Sequence, residues 1–476
     1  MTWWKTGWAA GLALVTLCSG CSSDDETKPP EEDEPLPGPE EWNREVVPPS
    51  AEEADQKRAS CGYAAGSLPA ETHGPDRPSG ADIPIDHVLI VMMENRSFDH
   101  YFQKLPENGQ PDVDVAPADF SNPDPDGVPV PIFHDQDYCF VDTAHGYTSI
   151  ARQIGEDDAM DGFVVTNEGN HELPAGGTLE MLKGRRAMGY YDQSDLPFYY
   201  WLANEFAIGD RYFASAPTST WPNRMFLFAA TSFGQATNTL VTADTTIQDE
   251  LDLREVSWKL YSSTTASYGM LVNKLGPAVQ EGHIVPFDQY FADLDAGTLP
   301  AVAFVEPGIG REAWDANDEH PPAIMQIGQH FVAKVVDALA KSSAWSSSAL
   351  FLTYDEHGGL YDHVVPPPAC APDDLSVPLS DGSLPAFDRY GIRVPFAVIS
   401  PYAKAHHVSH RTYDHTSIVR FIEARFVMPA LTARDANAEA PWDMFDFDAP
   451  PRPAPAVSLP PIDEDVMASC DAVFGE

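Results

Sequence analysis

Residues 85–93 read IDHVLIVMM, and the chain then turns abruptly polar at Glu94-Asn95. A continuous apolar run of this length is the signature of a strand buried on both faces, because an exposed face would alternate with polar residues. Runs of the same kind recur as AVAFVEP (301–307), ALFLTYDE (349–356) and VPFAVISP (394–401), each closed by polar or turn residues. Helical patterns lie between them. PPAIMQIGQHFVAKVVDAL (321–339) sets Ile324, Ile327, Phe331, Val335 and Leu339 on one stripe after prolines suited to a helix start. HTSIVRFIEARF (415–426) does the same with Ile418, Val419, Ile422 and Phe426, with Asp414 or Thr416 as cap. The alternation predicts an α/β fold: a largely parallel central sheet with helices on both faces, in a single catalytic domain. Ligands gather at the carboxyl ends of strands in such sheets, so the polar residues at 94–95 and 355–356 are expected to converge on one edge.

The chemistry at that edge is read from the residue types. Glu94 and Asn95 present a carboxylate and an amide oxygen, donors that hard divalent cations take, although such a pair alone is more often a turn or helix cap. Asp355 and Glu356 precede Gly358-Gly359, whose freedom at positive φ allows a sharp turn. Two adjacent carboxylates repel one another unless a cation or proton intervenes, though the pair by itself reads more readily as solvated turn charges. The DHVVPPP that follows stiffens the loop and brings Asp362 and His363 near as expected supports for these ligands. In SAPTSTWPNRMFLFAA, Thr220 stands at the start of an apolar helix, where free backbone N–H groups favour a phosphate. A threonine hydroxyl needs a metal or base to act as nucleophile, and without the other residues it would read as a cap. Of the 15 histidines, His145, His320, His363 and His415 sit in polar loops; His320, after a strand and before a helix, is the first candidate to contact a phosphoryl oxygen or leaving group.

Composition limits the partners. Lys+Arg total 28 against 73 Asp+Glu, a formal charge of −45, which disfavours electrostatic capture of nucleic acid or of an anionic bilayer. Residues 1–21, MTWWKTGWAAGLALVTLCSGC, read as an export signal too short to span a membrane, and Ser19-Gly20-Cys21 resembles a lipoprotein processing site that would give an N-terminal lipid anchor, with ordinary cleavage and secretion as the alternative. Residues 22–80 begin with a Pro- and carboxylate-rich stretch expected to be an extended tether; 81–430 form the catalytic domain, and 431–476 an irregular tail packed on it. Cys61, Cys139, Cys370 and Cys470 make two disulfides plausible in an exported chain, with three connectivities open.

Taken in order, HVLIVMMENRSFDHYF, DGF (161–163), MGYYDQSDLPFYYWLANEFAIGDRYF, TWPNR, AGTLPAVAFVEP, EHPP, LTYDEHGGLYDHVVPPP, RVPFAVISPYAK and DHTSIVRFIEARF resemble a bacterial phosphoesterase family. That family contains the non-zinc phospholipases C and the respiratory-burst-inhibiting acid phosphatases, and is related in fold to alkaline phosphatase. The resemblance runs from about residue 85 to 427. It implies one divalent metal ion held by Glu94, Asn95, Asp355 and Glu356, with Thr220 completing the site, attacking phosphorus and passing through a phosphothreonine. It also implies that His145 and His320 line the phosphate pocket. Two departures stand out: Thr218-Ser219 precede Thr220 where Gly-Pro is usual, and His357 occupies a place where a small residue is common. Phospholipase members carry further C-terminal β domains, whereas about 50 residues follow the last motif here, which favours a phosphatase or broad phosphodiesterase. The competing expectation is a surface lipoprotein that uses the same fold for binding without catalysis.

Overall fold

The computed structural model describes residues 36–475 apart from 244, 265–266, 273–274 and 309–312. The export signal, Cys21 and the first part of the tether lie outside these residues. The central sheet is built from β1 (His87–Met93), β2 (Ala207–Gly209), β3 (Trp258–Ser262), β4 (Ile284–Pro286), β5 (Val302–Glu306), β6 (Ser348–Tyr354), β7 (Phe396–Ile399) and β8 (His407–Ser409), in the order β8-β2-β7-β6-β1-β5-β3-β4. Its middle is parallel: β1 pairs with β6 and β5, and β3 with β5 and β4. Strand β7 runs antiparallel to both of its neighbours. All four predicted runs are strands, and every residue of β5, β6 and β7 is buried, as continuous apolar sequence requires. Because β7 is reversed, its Ser400-Pro401 end lies at the opposite edge from Glu94 and Asp355.

Helices surround the sheet. The helix predicted from 321 begins later, as α1 (Met325–Lys341). Its expected first turn is instead held open: Ala323 N–H donates to His320 O at 2.7 Å and Ile324 N–H to Trp314 O at 3.0 Å, which keeps His320 on a loop. The 415–426 helix, α2, has Asp414 at its N-cap, with the Asp414 N–H donating to Ser417 Oγ at 3.1 Å. It is not amphipathic. His415 to Ala424 are all buried, and Arg420 and Glu423 tolerate this by pairing at 2.8 Å.

Both flanking segments depart from expectation. Pro37 to Glu476 forms one compact unit, so the tether reading fails for residues 37–80. Trp42 is buried under the Arg254 guanidinium, 4.9 Å from its ring. Ser50 and Glu53 close a capping box on a helix at Ala51–Ala59, a signature present in the sequence as Ser-x-x-Glu but masked by the surrounding carboxylates and prolines. Cys61 is bonded to Cys370. In the tail, Arg434 is fully buried and donates to Ser215 O at 2.6 Å, so the chain past 430 belongs to the domain's packing. Glu464–Phe474 is a helix rather than irregular coil, capped by Asp463 and held by Cys139–Cys470. No helix among the described residues is long and apolar enough to cross a membrane.

Candidate functional site

The parallel register of β1 and β6 decides the site. It aligns Met93 with Tyr354, the last residues of the two strands, so Glu94-Asn95 and Asp355-Glu356 leave the sheet side by side. Asp355 N–H donates to Met93 O at 3.1 Å, and Asp355 Oδ1 accepts from Asn95 N–H at 3.1 Å and from Glu356 N–H at 2.8 Å. Asn95 takes φ 59°, a left-handed conformation that asparagine tolerates better than most residues. The turn beyond is equally constrained. Gly358 has φ 67°, and a Cβ there would stand 2.4 Å from Asn95 O.

Four side chains are thereby gathered in a buried pocket with unusual electrostatics. Burial pushes Glu94 and Glu356 well above the ordinary carboxylate range, despite Arg224 beside the first and His145 beside the second, and repulsion from Asp355 adds to it. Asn95 Oδ1, Asp355 Oδ2 and Glu356 Oε1 are buried with no hydrogen-bond partner. Unpaired buried oxygens are costly, and one amide and two carboxylate oxygens at adjacent strand ends, with the Glu94 carboxylate as a third, are the donor types that a hard divalent cation takes.

Thr220 opens a ten-residue helix, Thr220–Ala229, as expected, and is itself buried. The Thr218-Ser219 departure is absorbed locally: Asn223 Nδ2 donates to Thr218 O at 2.9 Å and to its Oγ1 at 3.1 Å, while Asn238 Oδ1 accepts from Trp221 N–H at 2.9 Å. The link from this helix to the strand ends is Arg224, one turn after Thr220. Its Nη2 donates to the carbonyls of Met92 and Met93 at 3.1 Å and lies 3.5 Å from Glu94 Oε1, and its Nε lies 3.6 Å from Asp355 Oδ2. Arg224 sits in the TWPNR segment, but its role was not legible there, since an arginine in a helical stretch usually faces solvent.

His145 and His320 meet with ring centroids 5.6 Å apart. In each, Nδ1 lies 2.6 Å from a backbone carbonyl, of Thr143 and Pro321 respectively, which fixes the ring. Burial alone would lower both imidazoles; Glu356 and Asp142 raise His145, and Asp142 and Asp318 raise His320, leaving each above the ordinary histidine value. Asp142 and Asp318 were missed from sequence. Asp318 accepts from His320 N–H at 3.1 Å, its carbonyl accepts from Glu94 N–H at 2.9 Å, and burial pushes its carboxyl up to about 7. Asp142, His145 and His320 offer ligand atoms all within 4.8 Å of one another, as do Asp99, Asp362 and His363, and His134, Asp192 and Asp195. Several groups could therefore hold a metal ion.

Other expectations at the site are redirected. Asp362 and His363 do not support the acidic pairs; Asp362 pairs with Arg393 at 2.9 Å and His363 with Asp99 at 2.6 Å, in a separate buried network. His415 backs the site structurally, with Nε2 2.8 Å from Asp355 O. His357 is fully buried, its Nε2 2.9 Å from Gln153 Oε1, and burial holds it well below the usual histidine value.

The chain is similar to known proteins over most of its length. The pattern of the Phosphoesterase family matches residues 85–429. The chain is 32% identical over 418 residues to non-specific phospholipase C1 of Arabidopsis thaliana, covering 81% of this chain and 75% of the relative. It is 32% identical over 453 residues to phospholipase C B of Mycobacterium tuberculosis, covering 82% and 83%. Among solved structures, the lipoteichoic acid synthase LtaP of Listeria monocytogenes is similar at a TM-score of 0.39 and 9% identity, covering 90% of this chain and 96% of that one.

Proposed function

As a member of the Phosphoesterase family the chain is a phosphoric ester hydrolase, and we propose that it works through Thr220 as nucleophile, with Glu94, Asn95, Asp355 and Glu356 holding one divalent metal ion. The observation that carries this reading is the β1–β6 register, which brings buried oxygens of Asn95, Asp355 and Glu356 without hydrogen-bond partners to adjacent strand ends, where Arg224 of the Thr220 helix reaches Glu94 and Asp355. A divalent cation bound there would supply Lewis-acid polarisation of the phosphoryl group.

The chain's own residues do the rest. Trp221 N–H is already taken by Asn238 and Pro222 has none, so the Thr220 helix offers the phosphate chiefly the positive end of its dipole, and Arg224 ties that helix to the acidic pairs so that nucleophile and ligands keep their spacing. Thr220 Oγ1 gives up its proton to solvent and attacks phosphorus, the P–O bond to the leaving group breaks, and a protonated imidazole of His145 or His320 hands the departing oxygen a proton. Water then hydrolyses the phosphothreonine and frees Thr220. Arg224, engaged with Met92, Met93, Glu94 and Asp355, is a positioning residue.

The relatives' names favour a phosphodiester of the phospholipase C type over a monoester, and the matched share of those relatives, 75% and 83%, offsets the argument from a short C-terminal region. Two disulfides suit an oxidising compartment and support export.

The test is Thr220→Ala, measured on p-nitrophenyl phosphate, p-nitrophenylphosphorylcholine and phosphatidylcholine in parallel, with metal analysis of the same samples. Turnover is expected to disappear while the circular dichroism spectrum is kept, and chelation should silence the wild type until a divalent ion is returned. Near-wild-type hydrolysis by the variant overturns the nucleophile assignment. The non-catalytic alternative predicts no turnover by the wild type on any of the three.

A further inference from the structure

We propose that Glu319 is a positioning residue for the reaction, whose buried carboxylate, held by three tyrosine hydroxyls, fixes His320 and both acidic pairs in one mutual geometry. Tyr101 and Tyr354 donate to Glu319 Oε2 at 2.5 and 2.8 Å, and Tyr199 donates to Oε1 at 2.6 Å. Arg96 closes the other side, with Nε and Nη2 donating to the Glu319 carbonyl at 3.0 and 2.5 Å.

The sequence neighbours of these groups give the network its meaning. Arg96 directly follows Asn95, Tyr354 directly precedes Asp355, and Glu319 stands between Asp318 and His320. Three loops that carry the site, each from a distant part of the chain, are thus joined one residue behind their functional side chains. Glu319 itself is fully buried, so it acts through its neighbours.

Two further features show that the position is built for this residue. Glu319 takes φ 72°, a left-handed conformation that a side chain adopts only when its surroundings impose it. Gly328 on α1 makes room, because a Cβ there would lie 2.1 Å from Glu319 Cγ. A packed apolar side chain could stabilise the core equally well. A carboxylate with three directional hydrogen bonds instead fixes orientation as well as position.

This inference rests on the proposed roles of His320 and the acidic pairs, so Thr220→Ala is assayed alongside. The variants are Glu319→Gln, which keeps shape but replaces one acceptor by a donor, Tyr199→Phe, and the two combined, in the full chain. With p-nitrophenyl phosphate and p-nitrophenylphosphorylcholine, E319Q should lower kcat about 10- to 100-fold with KM within about twofold, the loss expected when reacting groups are misplaced by a fraction of an ångström to an ångström. Y199F should lower kcat by a smaller factor, and the double variant should fall no further than E319Q, because both act through one network.

A merely structural role would lower the melting temperature and leave kcat per folded molecule unchanged. Folded E319Q or Y199F with wild-type kcat therefore overturns the proposal, and so does a double variant whose losses multiply. If E319Q does not fold, Y199F alone carries the test. Turnover retained by T220A would remove the premise itself, whereas an inactive T220A beside a fully active E319Q would sink only the positioning role.

Discussion

At the scale of single residues, the site depends on two backbone positions as much as on its acids. Asn95 at φ 59° turns the backbone out of the strand, and Gly358 at φ 67° lets the opposite loop pass within reach of the Asn95 carbonyl. Gly358→Ala would add both a left-handed penalty of about 1–2 kcal/mol and a clash with Asn95 O. Lower stability in urea and a loss of kcat are expected together, since relief of the clash displaces Asn95; a variant unchanged in both measurements would show that the loop has slack. Glu94, Asn95, Thr220, Asp355 and Glu356 could be picked out in the sequence because each ends a buried run or starts a helix. Arg224, Asp142, Asp318 and Glu319 could not. Their meaning comes from partners 130, 178, 224 and 218 residues away, namely Glu94, His320, Glu94 and Tyr101.

At the scale of elements, the strands were legible and their directions were not. An apolar run reports burial on both faces, but the reversal of β7 is set by pairing with β2 and β6, which no local pattern records. Helix starts were similarly overruled: Pro321 and Pro322 would suit a first turn, yet backbone bonds to His320 and Trp314 hold that stretch open. The loop after β6 is held by Arg393, Asp99, Asp362 and His363, a network with a pH signature. Burial alone would lower His363, but the hydrogen bond and charge of Asp99, with Asp362, raise it. A raised histidine contributes stability that is complete below its unfolded value near 6.5 and is lost as pH rises through the folded value. The melting temperature of wild type minus that of His363→Gln should therefore be largest below about pH 6.5 and shrink on the alkaline side. A difference that is flat across pH 5 to 9 would contradict the assignment.

At the scale of the whole molecule, the two disulfides join segments 309 and 331 residues apart, and each ties a flanking segment to the domain that carries the chemistry. Replacing Cys61 and Cys370 together by alanine should cost about 2–5 kcal/mol in denaturant unfolding while leaving kcat near wild type, because that bridge anchors the 37–80 segment rather than the site. An unchanged midpoint would mean that Trp42 and the Ala51–Ala59 helix hold the segment by packing alone. The acidic, proline-rich composition that suggested a tether is a statement about the average residue. Folding of 37–80 is decided by a few anchors, namely Trp42, Arg58 and Cys61. What the sequence by itself determined is the class of fold, the buried strands and the oxygen-bearing residues at their ends, because apolar periodicity and residue chemistry are local properties. What only the tertiary structure decided is which strands lie parallel and adjacent, which cysteines pair, and which buried charges neutralise or fix the site. Those are relations between distant segments, and the free energy that selects them comes from packing and burial that exist only once the chain has closed.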